Sequence, residues 1–267
     1  MPRITLLTDF GTADGYVGVL KSVLAIHAPM VQVDDISHDI PPGDVEKASL
    51  ALGRYWKRFP PGTVHLAVVD PGVGTERRAL AVLADERFLV APDNGILTEV
   101  LNQAEEWEAV RLRSSELLTE PESRTFHGRD LFAPASALLA SGNLLDALGP
   151  QVRDPWRLPN SQVRAIGEWV VGEVVDVDRF GNLATNLPPP LVEEVGEVEM
   201  AGHWIPLRGC YGEGDPGELL VLINSDGRVE IAEREGSAAI RLGVGRGAGV
   251  RAKVPLEHSE TEEAGPI

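Results

Sequence analysis

The sequence predicts an α/β N-terminal domain with a largely parallel sheet, followed by a small all-β C-terminal barrel. Three observations carry this prediction. Up to Gly149, apolar strand-length runs alternate with segments of helical spacing, which is the pattern of βα units. After Gly149 the chain becomes proline-spaced and loses apolar periodicity. From Val170 onward, short alternating segments follow one another, separated by turn signals such as Ser225-Asp226-Gly227. The expected layout is an α/β domain over 1–155, a linker over 156–169, a β-barrel over 170–255 and a disordered tail over 256–267.

In chain order, "ITLLTDFG" is a buried-type strand ending on Thr8, Asp9 and Gly11, and "DGYVGVLKSVLAIHAP" has helical spacing and stops before a proline. "VQVDDIS" is a second strand. "GDVEKASLALGRYWKRFP" is an amphipathic helix with Asp44 at its start and basic residues at its end. "TVHLAVVD", "ALAVLAD" and "RFLVAPD" are three further strands, "GILTEVLNQ" is helical, and "LFAPASALLASG" is a helix broken early by Pro134. "PQVRDPWRLPNSQVRAIGEW" reads as linker. "VVGEVVDVD", "EVEMAGHWIPL", "ELLVLINSDG", "RVEIAERE" and "GVRAKVP" are short strands of an antiparallel barrel or sandwich, and the polar tail "LEHSETEEAGPI" reads as disordered.

The 267 residues are 43% apolar and 24% charged, an ordinary globular composition. Forty-one acidic against 24 basic residues give a net charge of −17. A surface of that sign repels nucleic acid and anionic membranes and favours cationic small molecules, although solubility alone accounts for most of it. The single cysteine, Cys210, excludes an intrachain disulfide and a cysteine-cluster metal site, and reads as buried or idle. "MPRITLLTDFG" has no signal-peptide pattern, and no apolar run is long enough to span a bilayer. The expectation is a cytoplasmic protein with no membrane partner and no nucleic-acid partner.

Asp9, Asp70 and Asp93 each follow an apolar run. Ligands of open α/β sheets bind outside the carboxyl ends of strands, so three acids at such ends read as one site. Capping of a following turn or helix is the alternative for any one of them. Such acids suit a metal, a ribose diol or a catalytic base. "TDFGTADG" loosely matches an Asp-rich calcium loop, which makes a metal-dependent nucleosidase built on Asp9 and Asp14 one reading. A hard cation prefers several clustered oxygens, whereas Arg77, close to Asp70 in "VVDPGVGTERRAL", favours an anion or a polarised water. In "TFHGRD", His127 stands out because Gly128 leaves room beside it, while Arg129 and Asp130 suit local ion pairs or caps.

Taken together, "TDFG", "ISHDIPPGDVE", "VVDPGVGTERR", "APDNGILT", "TFHGRD", "DRFGNLATN" and "INSDGRVEIA" resemble, in order across 4–250, the S-adenosylmethionine hydroxide adenosyltransferases, relatives of the fluorinases and chlorinases. The resemblance implies an α/β domain, a β-barrel and a homotrimer whose active sites join the N-domain of one subunit to the C-domain of the next. It implies attack of water-derived hydroxide on C5′ of S-adenosyl-L-methionine, giving adenosine and L-methionine without a cofactor or metal. The family's catalytic Asp-Arg-His set falls on Asp70, Arg77 and His127. It also implies substrate contacts from Asp9, on the ribose hydroxyls, and from Asp14, with Asp178, Phe180, Asn182, Ser225 and Glu230 contributing from the barrel. Turn formation is the competing account of the barrel residues.

Halogenating relatives carry a long insertion that "ALAVLADERFLV" lacks, and they replace the acid and histidine present here as Asp70 and His127. Both departures favour hydroxide over halide. Gly43 stands near the place where one relative stacks a tryptophan on its substrate. A halogenase-type adenosyltransferase and a non-catalytic S-adenosylmethionine or adenosine binder are the remaining readings.

Overall fold

The computed structural model describes residues 2–115, 117–159 and 161–254, and the chain divides into two compact units between Leu158 and Pro159. The tail over 256–267 lies outside the described residues.

The first unit runs β1 (Arg3–Thr8), α1 (Tyr16–His27), β2 (Gln32–Ser37), α2 (Val45–Tyr55), β3 (Val64–Val68), β4 (Ala79–Ala84), β5 (Arg87–Pro92), α3 (Thr98–Gln103), β6 (Trp107–Arg111), α4 (Ala133–Ala140) and β7 (Gln151–Val152). Its sheet has the order β2-β1-β3-β5-β4-β6-β7. Strands β2, β1, β3 and β5 are parallel neighbours, and β4, β6 and β7 continue the sheet antiparallel. Strand β3 is buried throughout and β1 is buried from Ile4 onward, because helices cover both faces. Alternation along β1 splits the core. Ile4 and Leu6 pack with Leu20 and Leu24 of α1 and with α4, while Leu7 packs with Ala48 and Leu52 of α2 and Val100 and Leu101 of α3. Helix α2 starts where predicted, with the Asp44 carboxylate accepting the Lys47 N–H at 2.9 Å.

Three features of this unit depart from the sequence reading, the first being β7, which lies in the proline-spaced segment read as linker and pairs antiparallel with β6. Strand β6 was not anticipated; it pairs antiparallel with β4. Pro134 breaks no helix. It sits in the first turn of α4, directly after a helical turn of altered spacing. The turn before it, Gly128–Phe132, is widened to a π-helical spacing in which the Ala133 N–H reaches the Gly128 carbonyl.

The second unit runs β8 (Arg164–Ile166), β9 (Trp169–Val177), β10 (Leu183–Thr185), α5 (Pro189–Val195), β11 (Glu197–Met200), β12 (His203–Pro206), β13 (Leu219–Ile223), β14 (Val229–Glu233), α6 (Ala238–Leu242) and β15 (Gly249–Lys253). The strands pair antiparallel in the order β12-β11-β15-β9-β10-β14-β13, with β8 on β9. A bridge between Leu207 and Val221 links the two ends of the path and nearly closes the barrel around Val174, Leu183, Val198, Ile205, Val221 and Ile231. Strand β8 lies inside the segment 156–169 read as linker. Cys210 is free and exposed.

One core group makes the first unit acid-sensitive. His65 on β3 is fully buried, pairs in register with Thr5 of β1, and has Nδ1 2.8 Å from the Thr5 hydroxyl. Burial pushes its pKa down to about 3, so the imidazole is neutral in the fold. An unfolded chain binds a proton there below about pH 6.5, so the unfolded state gains stability as pH falls from 6.5 towards 3. Stability to urea is therefore expected to drop by ~2 kcal/mol between pH 7 and pH 5 through this residue. His65→Gln flattens that dependence if the assignment is correct, and an unchanged slope refutes it.

Candidate active site

Because β1, β3 and β5 are adjacent and parallel, Asp9, Asp70 and Asp93 all emerge at the same sheet edge. The adjacent arginines then diverge, one to each of two acids. Arg77 turns back to Asp70, with Nε 3.0 Å from both carboxylate oxygens and Nη2 also bonded to Oδ2. Arg78 goes to Asp93 at 2.5 Å and to Asp154 at 2.8 Å. The second Asp93 oxygen accepts the Trp156 N–H at 2.7 Å. Asp93 is thus an anchor for the chain entering 154–158, with both carboxylate oxygens held by protein partners.

The Asp70–Arg77 pair is nearly dry, with side chains 5% and 10% exposed, and the guanidinium lies over the Phe132 ring, 5.1 Å from its centroid. His127 completes the group, with Nδ1 2.8 Å from Arg77 Nη2. Arginine has only donors, so Nδ1 must accept and the imidazole is neutral, with its proton on Nε2. Burial first, and then the Arg77 charge, hold the His127 pKa below the usual histidine value; Asp70 and Asp130 oppose the shift. The trio therefore contains one fixed cation, one carboxylate and one N–H donor, and its only proton acceptor is Asp70.

The Pro-Gly-Val-Gly turn explains how these residues meet. Gly74 has φ +79°, and a Cβ there would lie 2.5 Å from the Arg124 carbonyl oxygen. That position needs glycine both for its backbone conformation and for this close approach. Arg124 Nη2 donates back to the Gly74 carbonyl at 3.2 Å. The turn thus lies directly against the segment leading to His127. A Cβ at Gly72, by contrast, would stand 3.5–3.8 Å from the side chains of Arg77, Thr75 and Asp70. The expectation for Gly128 is corrected. The space beside it is filled by Phe126, Leu20 and Phe10, each 3.2–3.4 Å from where a Cβ would stand. Phe10, Tyr16 and Phe126 meet edge to face at 5.4–6.2 Å, which joins the loop carrying Asp9 to the turn carrying His127. Arg129 and Asp130 form the local pair expected of them, and Asp130 also accepts the Ser123 N–H.

Asp9 is half-buried, and its Oδ2 accepts the Gly43 N–H at 2.8 Å. Asp14 is exposed. Among the described residues, no three His, Cys, Asp or Glu side chains stand together as potential metal ligands.

Within the barrel unit, Asp178 and Asn182 close one turn. Asp178 accepts the N–H groups of Phe180 and Asn182 at 2.8 and 2.9 Å and the Asn182 side-chain amide at 3.0 Å. Turn formation therefore accounts for much of their chemistry, and it leaves the Phe180 ring 74% exposed. Ser225 is exposed at the tip of the turn that Asn224 organises by accepting the N–H groups of Asp226 and Arg228. Glu230 is 6% exposed and accepts from Tyr211 Oη at 2.6 Å and Asn224 Nδ2 at 2.9 Å, with no cation paired to it among the described residues. Burial, followed by the Glu230 bond, raises the Tyr211 pKa. Tyr211 and Asn224 were missed from sequence, although Asn224 stands in the quoted "INSDG".

Similarity to known proteins follows the same two units. Models of the SAM hydroxide adenosyltransferase N-terminal and C-terminal domains match residues 4–149 and 172–251. The (R)-S-adenosyl-L-methionine hydrolase of Thermus thermophilus is 42% identical over 260 residues, covering 94% of this chain and 99% of that protein. The hydrolase of the same name from Salinispora tropica is 41% identical over 247 residues, covering 91% and 94%. The crystal structure of an uncharacterized conserved protein from Thermotoga maritima superposes with a TM-score of 0.86 at 38% identity, covering 93% of this chain and 98% of that one. With an acid, an arginine and a histidine in contact at the sheet edge, and both domain models matched in order, the chain belongs to the SAM hydroxide adenosyltransferase family.

Proposed function

We propose that the protein hydrolyses S-adenosyl-L-methionine by attack of water-derived hydroxide on C5′ of the ribose, releasing adenosine and L-methionine. The contact of Asp70, Arg77 and His127 is the observation that carries this reading. Water is a poor nucleophile, with a pKa of ~15.7, and must be deprotonated or held close to deprotonation. Arg77 stabilises the developing hydroxide as a fixed charge in a nearly dry setting. His127 donates its Nε2–H to orient the oxygen. Asp70, the trio's sole acceptor, takes the proton. The C5′–O bond forms as the C5′–S bond breaks, and the electron pair neutralises the sulfonium. The thioether leaves uncharged and needs no general acid or cofactor.

Asp9 holds the ribose diol through the carboxylate oxygen that Gly43 leaves open. Asp14, Asp178, Asn182 and Ser225 contact the remainder of the substrate, Phe180 packs on adenine, and the uncompensated Glu230 carboxylate suits the methionine ammonium. The protein acts in the cytoplasm as a homotrimer with sites shared between subunits, without a nucleic-acid or membrane partner. No helix among the described residues is long and apolar enough to cross a membrane.

Incubation with S-adenosyl-L-methionine in oxygen-18 water is expected to label the 5′ oxygen of adenosine. Unlabelled adenosine overturns hydroxide attack. A 5′-halogenated nucleoside at a competing rate in chloride or fluoride supports the halogenase alternative, and loss of activity in a strong chelator supports the metal-dependent nucleosidase. Binding without turnover supports a sensor.

A further inference from the structure

His38 lies beyond the sequence-predicted site and outside the Asp70 group, yet its position at the end of β2 ties down the loop that carries Asp9. Its side chain is 5% exposed. Nδ1 is 2.8 Å from Thr8 Oγ1, and Nε2 is 3.1 Å from Asp35 Oδ1, close although poorly aligned for a hydrogen bond. Asp35 is held in turn by Lys21 at 2.6 Å. An ionised carboxylate only accepts, so the nitrogen facing it carries a proton, and in the neutral imidazole Nδ1 is then the acceptor. Thr8 must then donate its hydroxyl proton to Nδ1, which turns a Thr8 lone pair towards the Phe10 N–H, 3.3 Å away. The His38 carbonyl accepts the Gly11 N–H at 2.8 Å. Residues 8, 10 and 11 are therefore fixed by one histidine, directly or through one hydroxyl, and Asp9 stands between them. Gly43, five residues after His38, holds one Asp9 oxygen.

We propose that His38 is a positioning residue that, through Thr8 and the Gly11 N–H, aims the free oxygen of Asp9 at the substrate's ribose diol. Thr8 is fully buried, so the Asp35–His38–Thr8 chain has no exposed nucleophile and acts by orientation alone. The inference rests on the proposed role of Asp9, and the test separates the two. The readout is the ratio of dissociation constants for 2′,3′-dideoxyadenosine and adenosine, measured by calorimetry. This ratio isolates the diol and is insensitive to general loosening of the fold.

Wild-type protein is expected to prefer adenosine, and Asp9→Ala to abolish the preference. His38→Ala and Thr8→Val should each reduce it by about tenfold, the scale of one hydrogen bond to a charged group. His38→Asn, whose amide reaches the Nδ1 position but not Asp35, should restore most of it. Equal weakening of both nucleosides by His38→Ala and Thr8→Val, with Asp9→Ala still abolishing the preference, overturns the positioning role and leaves the Asp9 assignment standing. A preference that survives Asp9→Ala overturns both. If His38→Ala does not fold, Thr8→Val and His38→Asn decide the question.

Discussion

Arg77→Ala is expected to lower kcat for S-adenosyl-L-methionine hydrolysis by ~10²–10³, with KM little changed. In the proposed mechanism Arg77 acts on the attacking oxygen, whose charge develops only as the proton leaves, so its stabilisation would appear in the transition state and not in substrate binding. The pair is nearly dry, which strengthens the effect of the charge. Arg77→Lys should recover little. One ammonium cannot place donors on both Asp70 oxygens and on His127 Nδ1, as the planar guanidinium does. The pH profile gives a second, independent signature. The Arg77 charge is one of the causes that hold the His127 pKa down, while Asp70 pushes it up. Without Arg77, one cause that lowers the imidazole pKa is removed while Asp70 still raises it, so the acid limb of kcat/KM should move to higher pH. Normal kcat with weakened binding and an unmoved acid limb would make Arg77 a substrate-positioning residue and refute the hydroxide mechanism.

The sheet edge was legible because two short-range patterns coincide there. An apolar run ending on an acid marks the carboxyl end of a parallel strand, and a glycine turn followed by arginine brings a cation back within seven residues, as the Asp70–Arg77 pair does. The same logic failed at Asp93. Its partners are Arg78, indistinguishable in sequence from Arg77, and a backbone N–H 63 residues away. Which of two adjacent arginines serves which acid is set by side-chain direction at a strand start, a tertiary matter. Strand β6 was missed because "WEAVR" offers only two fully buried positions, Ala109 and Val110, and takes its place from pairing with β4. Tyr211 lies in a glycine-rich loop with no periodicity, and its bond to Glu230 spans 19 residues. His38 stands in a quoted motif, but its meaning depends on β1 and β2 being parallel neighbours, which brings Thr8 to it from 30 positions away.

Asp70→Asn is the complementary experiment, and its expected loss is as large, ~10²–10⁴ in kcat, because it removes the trio's only proton acceptor. An amide oxygen still accepts from Arg77 but cannot take a proton from water. The fold should suffer as well: a side chain 5% exposed loses its charge and leaves a cation 10% exposed without its counter-ion, a change that costs ~3–5 kcal/mol in buried pairs. Thermal unfolding should therefore be measured beside kinetics, with rates taken well below the variant's midpoint. KM should rise, since the sulfonium substrate loses a nearby anion, and single-turnover rates at saturating substrate remove that contribution. The pH response separates this variant from Arg77→Ala. Asp70 raises the His127 pKa and Arg77 lowers it, so deleting Asp70 alone drives the imidazole further below its usual value. The acid limb should then stay put or move to lower pH, opposite to the shift in Arg77→Ala. If both variants move it the same way, the three side chains do not share one electrostatic site; if Asp70→Asn keeps wild-type turnover, another group takes the proton and the role assigned to Asp70 is wrong.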